Sequence, residues 1–352
     1  GEVEVSSITA DSREAAEGVC FVAIAGMQSD GHSFVGDALG KGCRAVIVER
    51  GRFAADEGGG PGVCVLGVED TRDAAGEIAS AFYDRPENEI TLVGVTGTNG
   101  KTTVSYLLER ILADQGRRVG VIGTVNYRYV DGRGQKQVLP APYTTPEPLL
   151  LERMLRQMAD AGVDTVVMEV SSHALAQRRL GRIFFDLAVF TNLSHDHLDY
   201  HHTMEEYFQA KSLLFLNHLK KDGAAVITFG GRDVPAGDWA EKLAALLREN
   251  NTVVFAGGGE KESVIEPLSI DIDTGGTRLS LRTPEGVFSL RSPLVGAFNA
   301  ANVMAAMAVS AALRLDMAAT VDSLEKDVGA PGRLEKITSA PGGAEKVAAF
   351  VD

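Results

Sequence analysis

Two kinds of apolar patterning divide this chain. In residues 1–87 short apolar runs at Cys20–Ile24, Ala45–Val48 and Val63–Leu66 are set off by glycine-rich turns such as Gly58-Gly59-Gly60-Pro61-Gly62. A helix is predicted from about Ala74 to Tyr83, ending before Arg85-Pro86, because a residue preceding proline is driven out of the helical region. From Glu89 onward, apolar strand signals alternate with helical spacings. The strands predicted are Thr91–Val95, Arg118–Ile122, Thr165–Val170, Leu187–Thr191, Ala224–Thr228 and Thr252–Phe255, with helices near 102–114, 147–161, 204–219 and 238–249. Near-continuous apolar strands suit a parallel sheet covered on both faces. Residues Leu268–Pro293 instead alternate apolar and polar, broken by the turns Thr274-Gly275-Gly276-Thr277 and Pro284-Glu285-Gly286, an antiparallel pattern. Helices at about Asn299–Leu313 and Ala318–Asp327 follow. The fold class expected is α/β: a small N-terminal α/β domain (1–87), a doubly wound, mostly parallel central domain with an antiparallel add-on (88–328), and a linker with a first strand (329–352).

Length and charge narrow the picture. The 352 residues are enough for roughly two domains, each with its own core. With 48 acidic against 34 basic residues the net charge is −14, which argues against a nucleic-acid footprint. Cys20, Cys43 and Cys64 are odd in number, scattered, and in no metal-ligand spacing, as expected for free thiols of a reducing cytoplasm. The first residues lack the basic and apolar regions of a signal peptide. The longest apolar stretch, Val303–Leu313, is too short to span a bilayer.

The segment Val93-Gly94-Val95-Thr96-Gly97-Thr98-Asn99-Gly100-Lys101-Thr102-Thr103 carries the strongest chemical signal. It reads as a strand, a glycine-rich loop and the start of a helix, a combination in which backbone N–H groups and the helix dipole favour bound phosphate. Lys101 can reach terminal phosphates, and the Thr102 hydroxyl can ligate Mg²⁺. The general P-loop pattern wants glycine at position 95, which is Val95 here, with Gly94 and Gly97 on either side. A nucleotide triphosphate site is the reading preferred over a glycine-rich loop without nucleotide chemistry.

Other residues point the same way, each with a plainer alternative. Glu169 ends an apolar strand at the edge where open α/β sheets place ligands, so it can hold Mg²⁺ with Thr102; it could equally pair with a surface lysine. The run His195-Asp-His-Leu-Asp-Tyr-His-His202 lacks the ligand spacing of a structural zinc site and could be a solvated polar loop. Lys211 falls within the apolar stripe Met204, Tyr207, Phe208, Phe215, so burial should lower its pKa; alternatively its stem is buried and its head is in water. Asn299 and Asn302 are an i, i+3 pair at a helix start, where Asn299 could act as an N-cap.

Taken together, these motifs resemble the Mur ligase family, and within it the MurE type, the UDP-N-acetylmuramoyl-tripeptide synthetases. The resemblance runs along essentially the whole chain. It rests on Gly97-Thr-Asn-Gly-Lys-Thr-Thr103, Thr144-Thr145-Pro146, Glu169-Val-Ser-Ser-His-Ala-Leu175, Thr191-Asn-Leu-Ser-His-Asp-His-Leu-Asp-Tyr-His201, Ala210-Lys211, Asn299-Ala-Ala-Asn302 and Gly332-Arg-Leu-Glu335. Tyr143 stands where some relatives have Asn.

The resemblance implies an N-terminal domain for the UDP moiety and a central domain for ATP. It also implies a C-terminal domain, for the incoming amino acid, that is almost wholly absent. The activity implied is ATP-dependent addition of diaminopimelate or lysine to UDP-N-acetylmuramoyl-L-Ala-D-Glu through an acyl phosphate, in peptidoglycan synthesis. A chain so shortened should bind ATP and the UDP-linked dipeptide but ligate poorly. The resemblance assigns ATP to Gly97, Thr98, Asn99, Gly100, Lys101, Thr102, Thr103, Asn299, Asn302, Arg333 and Asp352. Two Mg²⁺ ions fall to Thr102, Glu169, His197 and a carbamylated Lys211, with Lys101, Lys211 and His197 as the catalytic set and no role for His195. The muramoyl-peptide falls to Thr144, Thr145, Ser171, Gln177 and Arg179, although Arg178 is a neighbouring candidate; the uridine diphosphate falls to Ser12, Met27, Gln28 and Ser29. A cytoplasmic monomer is expected, without nucleic-acid or membrane partners. The competing readings are a folylpolyglutamate- or cyanophycin-type ligase and a non-catalytic nucleotide-binding module.

Overall fold

The computed structural model describes residues 3–26, 29–53, 60, 62–229, 237–250, 252–258, 264–326, 335–337 and 349–351. The chain divides into two compact units that are not continuous in sequence. Residues 1–88, 146–157 and 177–183 form the first, and 89–145, 158–176 and 184–352 the second.

The first unit begins with β1 (Ser7–Thr9), β2 (Val19–Val22), α1 (Val35–Gly40), β3 (Ala45–Glu49), β4 (Cys64–Val68) and α2 (Thr71–Phe82). The four strands form one parallel sheet in the order β1-β2-β3-β4. Successive side chains of a strand point to opposite faces, so Cys20, Val22 and Ile47 pack with Ala75 and Ala79 of α2, while Phe21, Val46 and Val48 pack with Val35 and Ala38 of α1. Strand β1 escaped the sequence reading because it is only three residues long and half polar. Helix α2 starts three residues earlier than predicted because Asp70 caps it, accepting from the N–H groups of Arg72 and Asp73. Cys20 and Cys43 are buried and Cys64 is exposed, all as free thiols; burial pushes the Cys20 thiol up to about 11.

The second unit continues with β5 (Thr91–Thr96), α3 (Lys101–Asp114), β6 (Val119–Ile122), β7 (Tyr127–Val130) and β8 (Lys136–Leu139). Helix α4 (Pro148–Asp160) gives its first part to the first unit. Then come β9 (Thr165–Glu169), α5 (Ser172–Ala176), β10 (Phe185–Phe190), α6 (Leu198–His201), α7 (Met204–Asn217), β11 (Leu219–Thr228), α8 (Gly237–Glu249) and β12 (Val253–Gly257). The sheet order is β12-β11-β10-β5-β9-β6-β7-β8, parallel through β6 and antiparallel across β7 and β8. The last hairpin was not anticipated.

Strands β13 (Glu266–Asp273), β14 (Gly276–Thr283) and β15 (Gly286–Ser292) form the expected antiparallel sheet. Helices α9 (Ala297–Ala312) and α10 (Met317–Leu324) follow, and β16 (Glu335–Ile337) pairs antiparallel with β17 (Ala349–Val351). Alternation again assigns the two faces of the large sheet. Val93, Val95, Leu187 and Val189 share a core with α3, α9 and α10, whereas Phe190 meets Phe215 of α7. Because β5, β9 and β10 are adjacent and parallel, the segments that follow them leave from one edge, and there the chemistry collects.

Candidate active site

The loop Gly97–Gly100 joins β5 to α3, and its two outer glycines are required by geometry. Gly97 has φ +150°, and a Cβ there would lie 1.9 Å from Thr191 Oγ1; Gly100, which caps α3, has φ +86°, and a Cβ would lie 2.3 Å from Asn302 Oδ1. The loop is therefore wedged between the end of β10 and the start of α9. The Thr191 hydroxyl donates to the Asn99 carbonyl at 2.6 Å, and the Asn192 side chain accepts from the Asn99 N–H at 3.0 Å and donates to its carbonyl at 3.1 Å. Thr98 Oγ1 accepts from the Ser194 N–H at 3.0 Å and lies 3.2 Å from the Tyr207 hydroxyl. Thr102 and Thr103 are buried in the first turn of α3.

Two ammonium groups converge on this loop. Lys101 Nζ donates to the carbonyls of Gly97 and Thr98, each at 2.9 Å, and Lys211 Nζ donates to the same Gly97 carbonyl at 2.8 Å. Lys211 is 1% exposed and lies over the Tyr207 ring at 4.6 Å, so the solvated-head alternative does not hold. Burial, and then the neighbouring Lys101 charge, hold it well below the usual lysine range, with Asp196 opposing. His197, in the left-handed conformation, packs its ring against Tyr207 from the other side of the sequence motif, with ring centroids 5.9 Å apart. His195 is exposed. Burial also raises Tyr207 to about 12 and, with the help of His173, lowers His201 to about 4, so His201 is neutral at pH 7; its Nε2 lies 2.9 Å from the Ser172 hydroxyl.

Glu169, the last residue of β9, is 1% exposed and takes no lysine partner in the hydrogen bonds it makes here. It accepts from the hydroxyls of Thr102 (3.0 Å) and Thr124 (2.9 Å) and from the Thr124 N–H (3.2 Å). Octahedral Mg²⁺, with oxygens at about 2.1 Å, holds adjacent ligands about 3.0 Å apart, the spacing of the Thr102 and Glu169 oxygens. That pair therefore fits a magnesium ion in chemistry and in spacing. Among the described residues no cluster of three or more His, Cys, Asp or Glu forms a metal site, so any ion here would lean on hydroxyls, substrate oxygens or a modified lysine.

Asn299 does not cap α9; the cap is Gly296. Instead Asn299 Nδ2 donates to the Val295 carbonyl at 2.9 Å and its Oδ1 accepts from Asn302 Nδ2 at 3.1 Å, which fixes Asn302 against Gly100. Thr145 Oγ1 accepts from the Ser171 N–H at 3.0 Å and donates to the Glu169 carbonyl at 2.9 Å, while Thr144 meets Thr124 hydroxyl to hydroxyl at 3.1 Å. Thr124 was passed over in the sequence reading, and Thr191 and Asn192, though part of a quoted motif, were given no role. The strand-end rule that found Glu169 would have found the last two.

The other substrate candidates belong to the first unit. Arg179 is 14% exposed in its side chain, ion-paired with Glu147 at 3.0 Å, and donates to Gln177 Oε1 at 2.6 Å. Arg178 is 56% exposed and bridges Asp70 (2.7 Å) and Asp73 (2.6 Å), which separates the two neighbours: Arg178 fastens the chain to α2. The Ser12 carbonyl accepts from Lys41, and the Ser29 carbonyl from the Gly26 N–H. Met27, Gln28, Arg333 and Asp352 lie outside the described residues.

A parallel sheet whose central strand runs into a glycine loop, a lysine and a buried Thr–Glu pair defines a P-loop α/β protein. Residues 95–310 match the Mur ligase middle domain and residues 4–83 match the Mur ligase family, catalytic domain. The chain belongs to the Mur ligase family. It is 40% identical over 337 residues to the UDP-N-acetylmuramoyl-L-alanyl-D-glutamate–2,6-diaminopimelate ligase of Geobacter metallireducens, covering 94% of this chain and 62% of that protein. To the ligase of the same name from Listeria monocytogenes serotype 4b it is 39% identical over 336 residues, covering 94% and 64%. A solved structure of a ligase of that name superposes with TM-score 0.77 at 28% identity, covering 96% of this chain and 65% of that one. The chain thus spans a little under two thirds of the length of these relatives. No helix among the described residues is long and apolar enough to cross a membrane.

Proposed function

We propose that this chain serves the ATP-dependent ligation of 2,6-diaminopimelate to UDP-N-acetylmuramoyl-L-Ala-D-Glu, as a cytoplasmic monomer. The names of the relatives support the substrates. The observation that carries the chemistry is the convergence of Lys101 and Lys211 on the Gly97 carbonyl beside the Thr102–Glu169 pair. Phosphoryl transfer from ATP to a carboxylate brings two anions together, so the reaction requires positive charge, which Lys101 can supply, and fixed geometry at the loop.

In this reading the loop 97–103 with Asn299 and Asn302 holds ATP. The D-Glu carboxylate attacks the γ-phosphate and releases ADP, and Thr144, Thr145, Ser171, Gln177 and Arg179 are the residues assigned to the muramoyl-peptide. The amine of the incoming amino acid then displaces phosphate from the acyl phosphate. Thr102 and Glu169 would hold one Mg²⁺, which when bound neutralises phosphate charge. His197 and Lys211 would serve a second. The unprotonated Lys211 amine would add CO₂ and lose a proton to give a carbamate, replacing a buried neutral amine with an anion able to face a metal.

Calorimetric titration of the chain with Mg²⁺ and a non-hydrolysable ATP analogue, then with the UDP-linked dipeptide or a folate, tests this. Binding of the nucleotide and of the dipeptide, but not of the folate, is expected. Folate binding, or no nucleotide binding, refutes it.

A further inference from the structure

Within the first unit a chain of charged contacts joins two segments that the substrate reading treats separately. Arg72, in the first turn of α2, donates from Nη2 to the Ala25 carbonyl at 3.1 Å and from Nη1 to Glu147 Oε2 at 3.2 Å. The other oxygen of Glu147 pairs with Arg179 Nε at 3.0 Å, and Arg179 Nη2 holds Gln177 Oε1 at 2.6 Å. One carboxylate thus lies between two guanidinium groups, hydrogen-bonded to Arg72 and ion-paired with Arg179, whose side chains are only 18% and 14% exposed, so salt screens the contacts less than it would at the surface.

Both ends of the chain are anchored. Ala25 is bridged to Asp30. Asp30 in turn binds Arg52 at 3.0 Å and His32 Nδ1 at 2.6 Å. Because His32 Nε2 accepts the Glu49 N–H at 2.9 Å, its proton sits on Nδ1, pointing at Asp30. At the far end Arg178 fixes the backbone beside Arg179 to Asp70 and Asp73, the residues that open α2. Arg72 and Glu147 join these anchored ends directly, beside a longer path through Arg52, Glu49 and Thr71.

We propose that Glu147 and Arg72 are positioning residues of the substrate site. Glu147 sets the plane and direction of the Arg179 guanidinium. Arg72 ties that setting to the backbone at Ala25, which is bridged to Asp30 beside Ser29, so that the group reading the anionic peptide is held in register with the Ala25–Asp30 bridge. The proposal rests on the assignment of Arg179 and Ser29 to the UDP-muramoyl ligand made above.

The test is calorimetric binding of UDP-N-acetylmuramoyl-L-Ala-D-Glu and of UDP-N-acetylmuramate without peptide to the chain, with the Mg²⁺–ATP analogue as a control on the other unit. Glu147→Gln is expected to weaken the peptide-bearing ligand roughly 10- to 100-fold, the scale of a lost charge-assisted contact, and the peptide-free ligand far less. Arg179→Met should do the same. The double variant should be no weaker than Arg179→Met alone, since Glu147 acts through Arg179. Arg72→Met should weaken both UDP ligands, because it holds Ala25.

Glu147→Asp, which keeps the charge but shortens the reach, guards against misfolding; it should retain the wild-type exchange protection of α2 yet bind the dipeptide several-fold more weakly. Unchanged selectivity between the two UDP ligands in the Glu147 variants, or additive losses with Arg179→Met, overturns the proposal. A wild-type chain that binds the ATP analogue but neither UDP ligand overturns the parent reading, and this one with it.

Discussion

Glu152 offers the sharpest energetic test of the fold. It lies in the part of α4 that belongs to the first unit, its residue is 2% exposed, and neither carboxyl oxygen has a hydrogen-bond partner among the described residues. Glu87 is also buried; its Oε1 accepts from the Ser80 hydroxyl at 3.1 Å. Burial first, and then the Glu87 charge, push Glu152 up to about 8 from 4.5. The folded state therefore prefers the protonated acid. Stability associated with this group is complete below pH 4.5 and is lost as pH rises from there through 8. At about 1.4 kcal/mol per pKa unit, the penalty is near zero at pH 4, about 3 kcal/mol at pH 7 and at most about 5 kcal/mol above pH 9.

Glutamine has the shape of the protonated acid and no charge to bury. Glu152→Gln should therefore stabilise the first unit by up to about 3 kcal/mol at pH 7, more at pH 9, and scarcely at pH 4. The single tryptophan, Trp239, sits in α8 of the other unit, so its fluorescence is the wrong probe. Native-state amide exchange of α2 and α4, corrected for intrinsic rates at each pH, reads the right region. A stability difference between wild type and variant that is the same at pH 4 and pH 9 would refute the reasoning, as would a variant less stable at every pH.

Three further outcomes follow from the second unit. Gly100→Ala forces a Cβ onto Asn302 Oδ1 at φ +86° and should cost about 1–3 kcal/mol with loss of nucleotide binding; urea unfolding and calorimetry check both, and wild-type affinity would contradict the wedge. Thr102→Val removes the hydroxyl that meets Glu169 and should weaken Mg²⁺-dependent nucleotide binding roughly 10- to 100-fold, leaving metal-free binding in EDTA unchanged; equal losses in both media would dissociate Thr102 from the metal. In ¹³C-bicarbonate the wild type should show a carbamate resonance that Lys211→Arg lacks, and a spectrum without that resonance at alkaline pH would leave Lys211 a plain amine.

Periodicity made the doubly wound sheet legible because six parallel strands are apolar on both faces and separated by amphipathic helices. The hairpin β7–β8 was not legible: Tyr127–Val130 and Lys136–Leu139 are short, and their polar positions carry loop-like composition. Of the site, what the loop sequence dictates locally was readable, and so was Lys211, whose place in an apolar stripe announced its burial. What depends on tertiary register was not. Nothing in the sequence tells Arg178 from Arg179, or shows that Asn299 braces Asn302 rather than capping α9; both follow only once α2 and the loop 97–100 are in place. Glu147 passed unnoticed because a glutamate after proline at a helix start is commonplace, and its importance lies in contacts more than thirty residues away.

The first unit is stitched from three stretches of chain, and Leu149 of α4 lies in the same core as Ile8, Val22, Ile47, Ala75 and Ala79. The polypeptide consequently passes between units at 88/89, 145/146, 157/158, 176/177 and 183/184. Scissors placed after residue 88 would leave the four-stranded sheet with an apolar hole and without Arg178 and Arg179. Any transplant of this module into another protein must carry all three stretches.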